Sequence, residues 1–416
     1  MRGSPVAYLV VASVAASLCA LPGGAALEVD AAEAFFDVRF SNEGERKTLH
    51  WAERCLHACQ SACRSDPPQR SASVRLLRWD VDDDCAYRCT HACLAESMKH
   101  GGRMYKYRGK WPHTRVLGVQ EPFSALFSLL NLAAHCVGYL MISACRRAGD
   151  QAAAGVAGGT SSQALDASGA LGHIRRLQAM SCLWMGAWVS SSVFHARETW
   201  WSERLDYYSG NMAMAWMVYT SLARAAAPLA PQHRAWLRRL SGAVLSAGVG
   251  GHMVGNYPKI NYGRNMWVMI GLLSAHTVAW LWSCMANPGR HNRLFYLSAA
   301  LTYAAGLLEV LDFAPVLGIN SLVPCAAELG PLLRTPLRAH LHHGQTRRTE
   351  MGHVVDAAQA CRRSVTILRQ PAGSLDAHAL WHAATPGLTY MFYCFLSGDA
   401  TGMWQQELAS LAAKTR

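Results

Sequence analysis

PFSALFSLLNLAAHCVGYLMIS, from Pro122 to Ser143, contains no Asp, Glu, Lys or Arg. At a rise of about 1.5 Å per residue, a helix over this stretch reaches the roughly 30 Å of a bilayer's hydrocarbon core. Six comparable runs follow: Gln178–Phe194, Tyr208–Leu222, Leu240–Val254, Met266–Met285, Phe295–Leu317 and Ala377–Leu396. The expectation is an all-α membrane protein with seven transmembrane helices. Composition agrees. The 416 residues are 51% hydrophobic and only 16% charged, whereas soluble chains carry about 25% charge. The mean hydropathy of +0.06 averages this apolar part with a polar first quarter. The net charge of +12 does not point to nucleic acid, because the basic residues lie between apolar runs rather than along one polar face.

The first residues run from Arg2 through the apolar stretch Ala7–Leu21 to the small-residue exit after Pro22. That order is the pattern of a secretory signal peptide over residues 1–26. Residues 27–120 then form a cysteine-rich lumenal domain. Six of the 14 cysteines lie there, in CLHACQSAC (Cys55, Cys59, Cys63) and CAYRCTHAC (Cys85, Cys89, Cys93). Spacing of i, i+4, i+8 sets each triplet along one face of a helix. Two such helices face to face close disulfides in an oxidising compartment, with the pairing left open by the sequence. Cys136, Cys182, Cys284 and Cys394 fall in apolar runs and read as packing residues.

Orientation follows from the basic residues of the short connections. With the stapled domain lumenal, the cytosolic loops hold Arg146, Arg147, Arg175, Arg176, Arg224, Arg234, Arg238, Arg239, Arg290 and Arg293, and the lumenal loops hold Arg197, Arg204, Lys259 and Arg264. The excess favours a lumenal N-terminus and a cytosolic tail. On this reading residues 121–319 contain helices one to six and 374–416 the seventh helix with its tail. The small-residue tract that begins at Ala152 reads as linker.

Ionisable residues at membrane depth are expensive and mark functional sites. Ser191 and His195 share a face at the end of span two; Asp206 stands at the mouth of span three; His378 and His382 are one turn apart at the start of span seven. The topology places all three clusters at the lumenal face. Three neutral imidazoles with an open position for water form a catalytic zinc shell. Asp206 is then the candidate to take or orient the water's proton, and Ser191 to donate to a developing oxyanion or brace a ligand. Glu309 and Asp312 in span six are candidate polar partners or arginine-pairing groups between helices.

These motifs resemble those of the hydrolases that remodel the lipid of glycosylphosphatidylinositol (GPI) anchors. The matching stretches are Cys55-Leu-His-Ala-Cys59, Asp84-Cys-Ala-Tyr-Arg-Cys89, Tyr107-Arg-Gly-Lys-Trp-Pro112, Gln120 to Leu132, Ser191 to Thr199, Leu205-Asp-Tyr207, Leu308-Glu-Val-Leu-Asp-Phe313 and Leu375-Asp-Ala-His-Ala-Leu-Trp-His382. The Ser-x3-His and His-x3-His pairs alone are similar to a wider seven-span set that includes alkaline ceramidases and the progestin and adiponectin receptors. The resemblance implies removal of the sn-2 acyl chain of GPI phosphatidylinositol, a phospholipase A2-type step on GPI-anchored proteins in the endoplasmic reticulum or Golgi membrane. It implies zinc on His195, His378 and His382, with Ser191 and Asp206 as the serine and aspartate of the site. The alternatives are a ceramidase-like lipid amidase and a non-enzymatic seven-span receptor or cargo factor.

One stretch departs from the pattern. The family's Leu-Glu-Val-Leu-Asp-Phe motif runs almost directly into Asp-Ala-His, but here residues 320–373 intervene, with seven arginines, Cys325, Cys361, His340, His342, His343 and His353. Their composition resembles translated non-coding sequence, so the segment reads as a retained intron or a disordered lumenal loop.

Overall fold

A computed structural model describes residues 55–99, 106, 110–156, 169–312 and 375–414. The signal peptide and the 320–373 insert expected from the sequence lie outside the described residues. The chain is almost entirely helical there, with no strand among the described residues and an isolated bridge between Val116 and Val119. Among the described residues it divides into two units: 124–310 and 380–414 form one, and 55–123 together with 311, 312 and 375–379 form the other.

Among its described residues the smaller unit contains three helices before the start of the last one: α1 over 55–65, α2 over Ala72–Leu76 and α3 over Val81–Lys99. Asp82, Asp83 and Asp84 in the first turn of α3 complement the helix dipole. Asp80 Oδ1 accepts the Asp83 N–H at 2.7 Å and closes that end. Cys55 pairs with Cys93, Cys59 with Cys89 and Cys63 with Cys85. This nested pairing requires α1 and α3 to run antiparallel, and each bridge links one turn of α1 to one turn of α3. Cross-links over loops of this length each contribute about 3 kcal/mol, in a unit with few large buried apolar side chains. Trp79 is among them, and its Nε1–H donates to the Gly118 carbonyl at 2.8 Å. Leu117 (φ 52°) and Gly118 (φ 80°) turn the chain back between Val116 and Val119. The Gly118 backbone approaches the Ser73 carbonyl so closely that a Cβ would lie 3.0 Å from it.

The larger unit contains α4 (Pro122–Val156), α5 (Gly169–Ala196), α6 (Trp200–Ala225), α7 (Pro231–Gly255), α8 (Tyr262–Ala286), α9 (Asn292–Leu311) and the body of α10 (Ala377–Lys414). These long helices fall on the seven apolar runs. Three are long and apolar enough to cross a membrane: Pro122–Ala154 of α4, α8 and α9. In α5, α6 and α10, buried polar groups such as His173, Ser191, Asn211, Arg224 and Asp399 dilute the apolar content. Helix α6 is central and packs along α5, α7 and α8. Its Val218 joins Ile142, Ile174, Leu177, Leu272, Trp280, Phe295, Phe395 and Leu396 in the core, with the Trp280 and Phe395 rings edge to face at 4.8 Å.

Several helices outrun their apolar runs. Helix α4 continues to Val156, so the first part of the tract read as linker is helical; alanine is the strongest helix former and needs only a preceding turn to propagate from. Helix α10 continues to Lys414 through the segment expected to be a cytosolic tail. Trp404 holds it there, against a position where any side chain on Gly149 would collide with the indole. Glu407 Oε1 accepts the Ala170 N–H at 2.8 Å and so caps α5. Cys284 is buried as expected, whereas Cys136 and Cys182 lie exposed on the helix surface.

A second buried polar cluster occupies the larger unit. Arg224 Nε and Nη2 donate to the two oxygens of Asp399 at 2.8 and 2.7 Å, and His173 Nε2 lies 3.3 Å from Asp399 Oδ2. His173 is 22 positions before His195 on α5, which separates the cluster from the end of that helix by about 33 Å.

Candidate metal centre

His195 is carried by the last turn of α5, and His378 and His382 by the first two turns of α10. One ligand atom from each of the three lies within 4.8 Å of the other two. His195 and His382 are each 2% exposed and His378 is half-buried. The His195 and His382 rings stand nearly perpendicular with centroids 5.0 Å apart. Trp188 and Trp381 meet the His382 ring edge to face at 5.3 and 4.9 Å, which limits the orientations open to the imidazole.

Local sequence explains why the donors are held there. The chain turns sharply after His195 because Thr199 caps α6: its Oγ1 accepts the Ser202 N–H while Ser202 Oγ accepts the Thr199 N–H. On α10, Pro386 has no N–H to give to the carbonyl four residues earlier, which is that of His382. The freed oxygen accepts instead from Asn131 Nδ2 at 2.9 Å and from Thr385 Oγ1 at 3.0 Å. Asn131 belongs to a stripe on α4, Ser124, Ser128, Asn131 and His135, all buried. Ser128 Oγ donates to the Ser124 carbonyl at 2.8 Å and lies 3.1 Å from Ser191 Oγ and 3.4 Å from His382 Nδ1.

The structure therefore brings His195, His378 and His382 together and joins Ser191 to them through Ser128. Asp206, half-buried in the second turn of α6, stands outside the three-donor group. Ser128 and Asn131 were not singled out by sequence reasoning, although hydroxyl and amide side chains at helical spacing in an otherwise apolar run are a signal of an inward polar face. Asp312 accepts from Lys106 Nζ and from Trp111 Nε1 rather than pairing with arginine, and Glu309 accepts from the Tyr262 hydroxyl.

The donor set fits a divalent metal of the zinc type. Three imidazoles supply nitrogen ligands of borderline softness, carry no charge when coordinating, and are the shell to which a fourth, exchangeable ligand can be added.

In the smaller unit, His113 Nε2 lies 3.0 Å from Asp376 Oδ2, two residues before His378. Burial pushes the His113 imidazole down, but the hydrogen bond to Asp376 and the nearby Glu121 carboxylate outweigh it and raise its pKa. Burial likewise pushes the Asp376 carboxyl up, and the His113 hydrogen bond and charge outweigh it and lower its pKa. The two shifts run in the directions that a hydrogen bond between an imidazole and a carboxylate produces. His91 is the opposite case: burial holds it down to about 4, and its neutral ring N–H donates to the His113 carbonyl at 3.1 Å.

A stapled helical unit followed by long apolar helices that carry a buried three-histidine centre defines a helical membrane protein with a metal-type donor site. Residues 71–321 match the model of the Per1-like family, and the chain belongs to that family. It is 25% identical over 370 residues to the mouse "GPI-specific phospholipase A2-like PGAP3", covering 86% of this chain and 89% of that relative. It is 23% identical over 398 residues to the human protein of the same name, covering 94% and 96%. It is 24% identical over 353 residues to the Schizosaccharomyces pombe "Protein PER1 homolog", covering 82% and 83%. No solved structure matches the chain.

Proposed function

We propose that this chain is a metal-dependent acyl-ester hydrolase that removes the sn-2 fatty acid from the phosphatidylinositol of GPI-anchored proteins. The observation that carries the proposal is the convergence of His195, His378 and His382 within 4.8 Å of one another. The names of the mouse and human relatives, with near full-length coverage, support the substrate class.

His195, His378 and His382 would hold the metal, taken here as Zn2+. When bound, such an ion supplies Lewis acidity toward an ester carbonyl and lowers the pKa of water to roughly 7. The protein's own groups do the rest. Asn131 and Thr385 fix the His382 backbone, and Trp188 and Trp381 fix its ring, so the donors are preorganised. Ser191, whose hydroxyl lies 3.1 Å from Ser128 Oγ, can donate to negative charge developing on a carbonyl oxygen, and Ser128 braces it. Asp206, near the N-terminus of α6, is the carboxylate assigned to orient water or accept its proton. Water adds across the ester and leaves a lysophospholipid and a free fatty acid.

The same reading assigns all seven long helices to the membrane of the endoplasmic reticulum or Golgi, with a lumenal N-terminus. Three disulfides support an oxidising compartment for the smaller unit, and the basic residues near the helix ends, among them Arg146, Arg175, Arg234 and Arg290, support the orientation.

The test is complementation of cells that lack their own remodelling enzyme, followed by mass spectrometry of the acyl chains on released GPI-anchored proteins. Loss of the unsaturated sn-2 chain is the expected result. Unchanged GPI lipids in cells that insert the protein correctly would reject the assignment.

A further inference from the structure

Helix α3 is tied to α1 by three disulfides. The following segment is anchored on α3 by Arg115, whose guanidinium lies 3.6 Å from the Trp79 ring and 4.1 Å from the Tyr87 ring and donates to Asp84 Oδ1 at 3.2 Å. The Arg115 N–H donates to the Tyr87 hydroxyl oxygen, and the His113 carbonyl accepts from His91. The backbone is thus fixed immediately after the His113 side chain. That side chain and Asp376 are both buried, and they are joined by a hydrogen bond of 3.0 Å. The second oxygen of Asp376 accepts the Ala379 N–H at 2.8 Å and caps the first turn of α10. His378 lies between these two attachment points.

We propose that His113 is a positioning residue for the metal donor His378: it holds the Asp376 carboxylate where it caps α10, and so passes the rigidity of the disulfide-locked α3 to the imidazole. The inference rests on the reading of His195, His378 and His382 as metal donors. It gives the stapled unit a task in the reaction, that of fixing one ligand of the centre. A cap formed by Asp376 alone would leave the carboxylate free to change rotamer, and the donor with the highest exposure of the three would be the least well placed. Partners that orient metal ligands typically change affinity by 10–100-fold when removed.

The experiment is zinc titration of the purified full chain in lipid nanodiscs against a competing chelator, with thermal unfolding of the metal-free protein measured in parallel. His113→Phe keeps the ring volume and removes the donor; His113→Gln keeps a donor. The expected result is a roughly 10–100-fold rise in the zinc Kd for His113→Phe and a value near wild type for His113→Gln. Mild reduction of the disulfides raises the wild-type Kd and adds little to His113→Phe, in which the link is already cut. A folded His113→Phe protein with the wild-type zinc Kd would overturn the inference and leave the metal centre standing. A wild-type chain that binds no zinc would remove both.

Discussion

Asn131 donates its side-chain amide to the carbonyl oxygen of His382 at 2.9 Å, the acceptor that Pro386, four residues on, leaves without a helical N–H. A proline inside a long helix is thereby tied to one of the three candidate donors, because the broken backbone bond is replaced by one to a neighbouring helix. Asn131→Ala should therefore cost about 1–3 kcal/mol by leaving a buried acceptor poorly satisfied. Pro386→Ala restores the missing N–H, so the double variant should recover most of that loss in thermal unfolding. Costs that simply add would show that the two residues act separately.

The Arg224, Asp399 and His173 cluster is buried in the larger unit. Removing one partner of a buried pair strands the other charge, and losses of about 3–5 kcal/mol are usual. Asp399→Leu and Arg224→Met should each lower thermal stability strongly. The double variant should be far less destabilised than the sum. Its position about 33 Å along α5 from the histidines predicts that zinc affinity of the double variant stays close to wild type.

The stapled unit should respond to acid through His91. Its folded-state pKa, near 4, is below the unfolded value of about 6.5. Between those values the unfolded chain binds the proton and the folded chain does not, so stability falls as pH drops through this window. The raised His113 contributes stability that is lost only as pH rises above about 6.5, outside this window, so His91→Gln is the informative variant. Protease resistance of the unit around Cys55–Cys93 should lose part of its dependence on pH from 6.5 to 4 in His91→Gln. An unchanged profile would assign the acid response to other groups.

Much of this site was legible beforehand. His195, His378 and His382 stand out because imidazoles are rare in apolar runs and because a four-residue spacing puts His378 and His382 on one helix face. The cysteine triplets likewise announce two facing helices, while the nested pairing needed the antiparallel arrangement that only tertiary structure supplies. The apolar runs do not show that α4 reaches Val156 or α10 Lys414, because hydropathy reports the lipid-facing stretch, whereas Ala-rich turns and the Trp404 and Glu407 contacts extend the helix beyond it. The Asn131 link escaped for a different reason: it joins a side chain on α4 to a backbone atom on α10, and no spacing along the chain encodes that distance.

The measurement that bears most directly on the account is hydrolysis by purified protein in nanodiscs that contain GPI lipid with an isotopically labelled sn-2 chain. Wild-type, metal-stripped, zinc-reloaded and His382→Ala proteins are compared at equal folded concentration. The account predicts release of the labelled fatty acid by the wild type, loss on stripping, recovery with zinc, and at least a 100-fold loss in His382→Ala that zinc does not restore. Release at the wild-type rate by folded His382→Ala, or by metal-stripped protein, would contradict it.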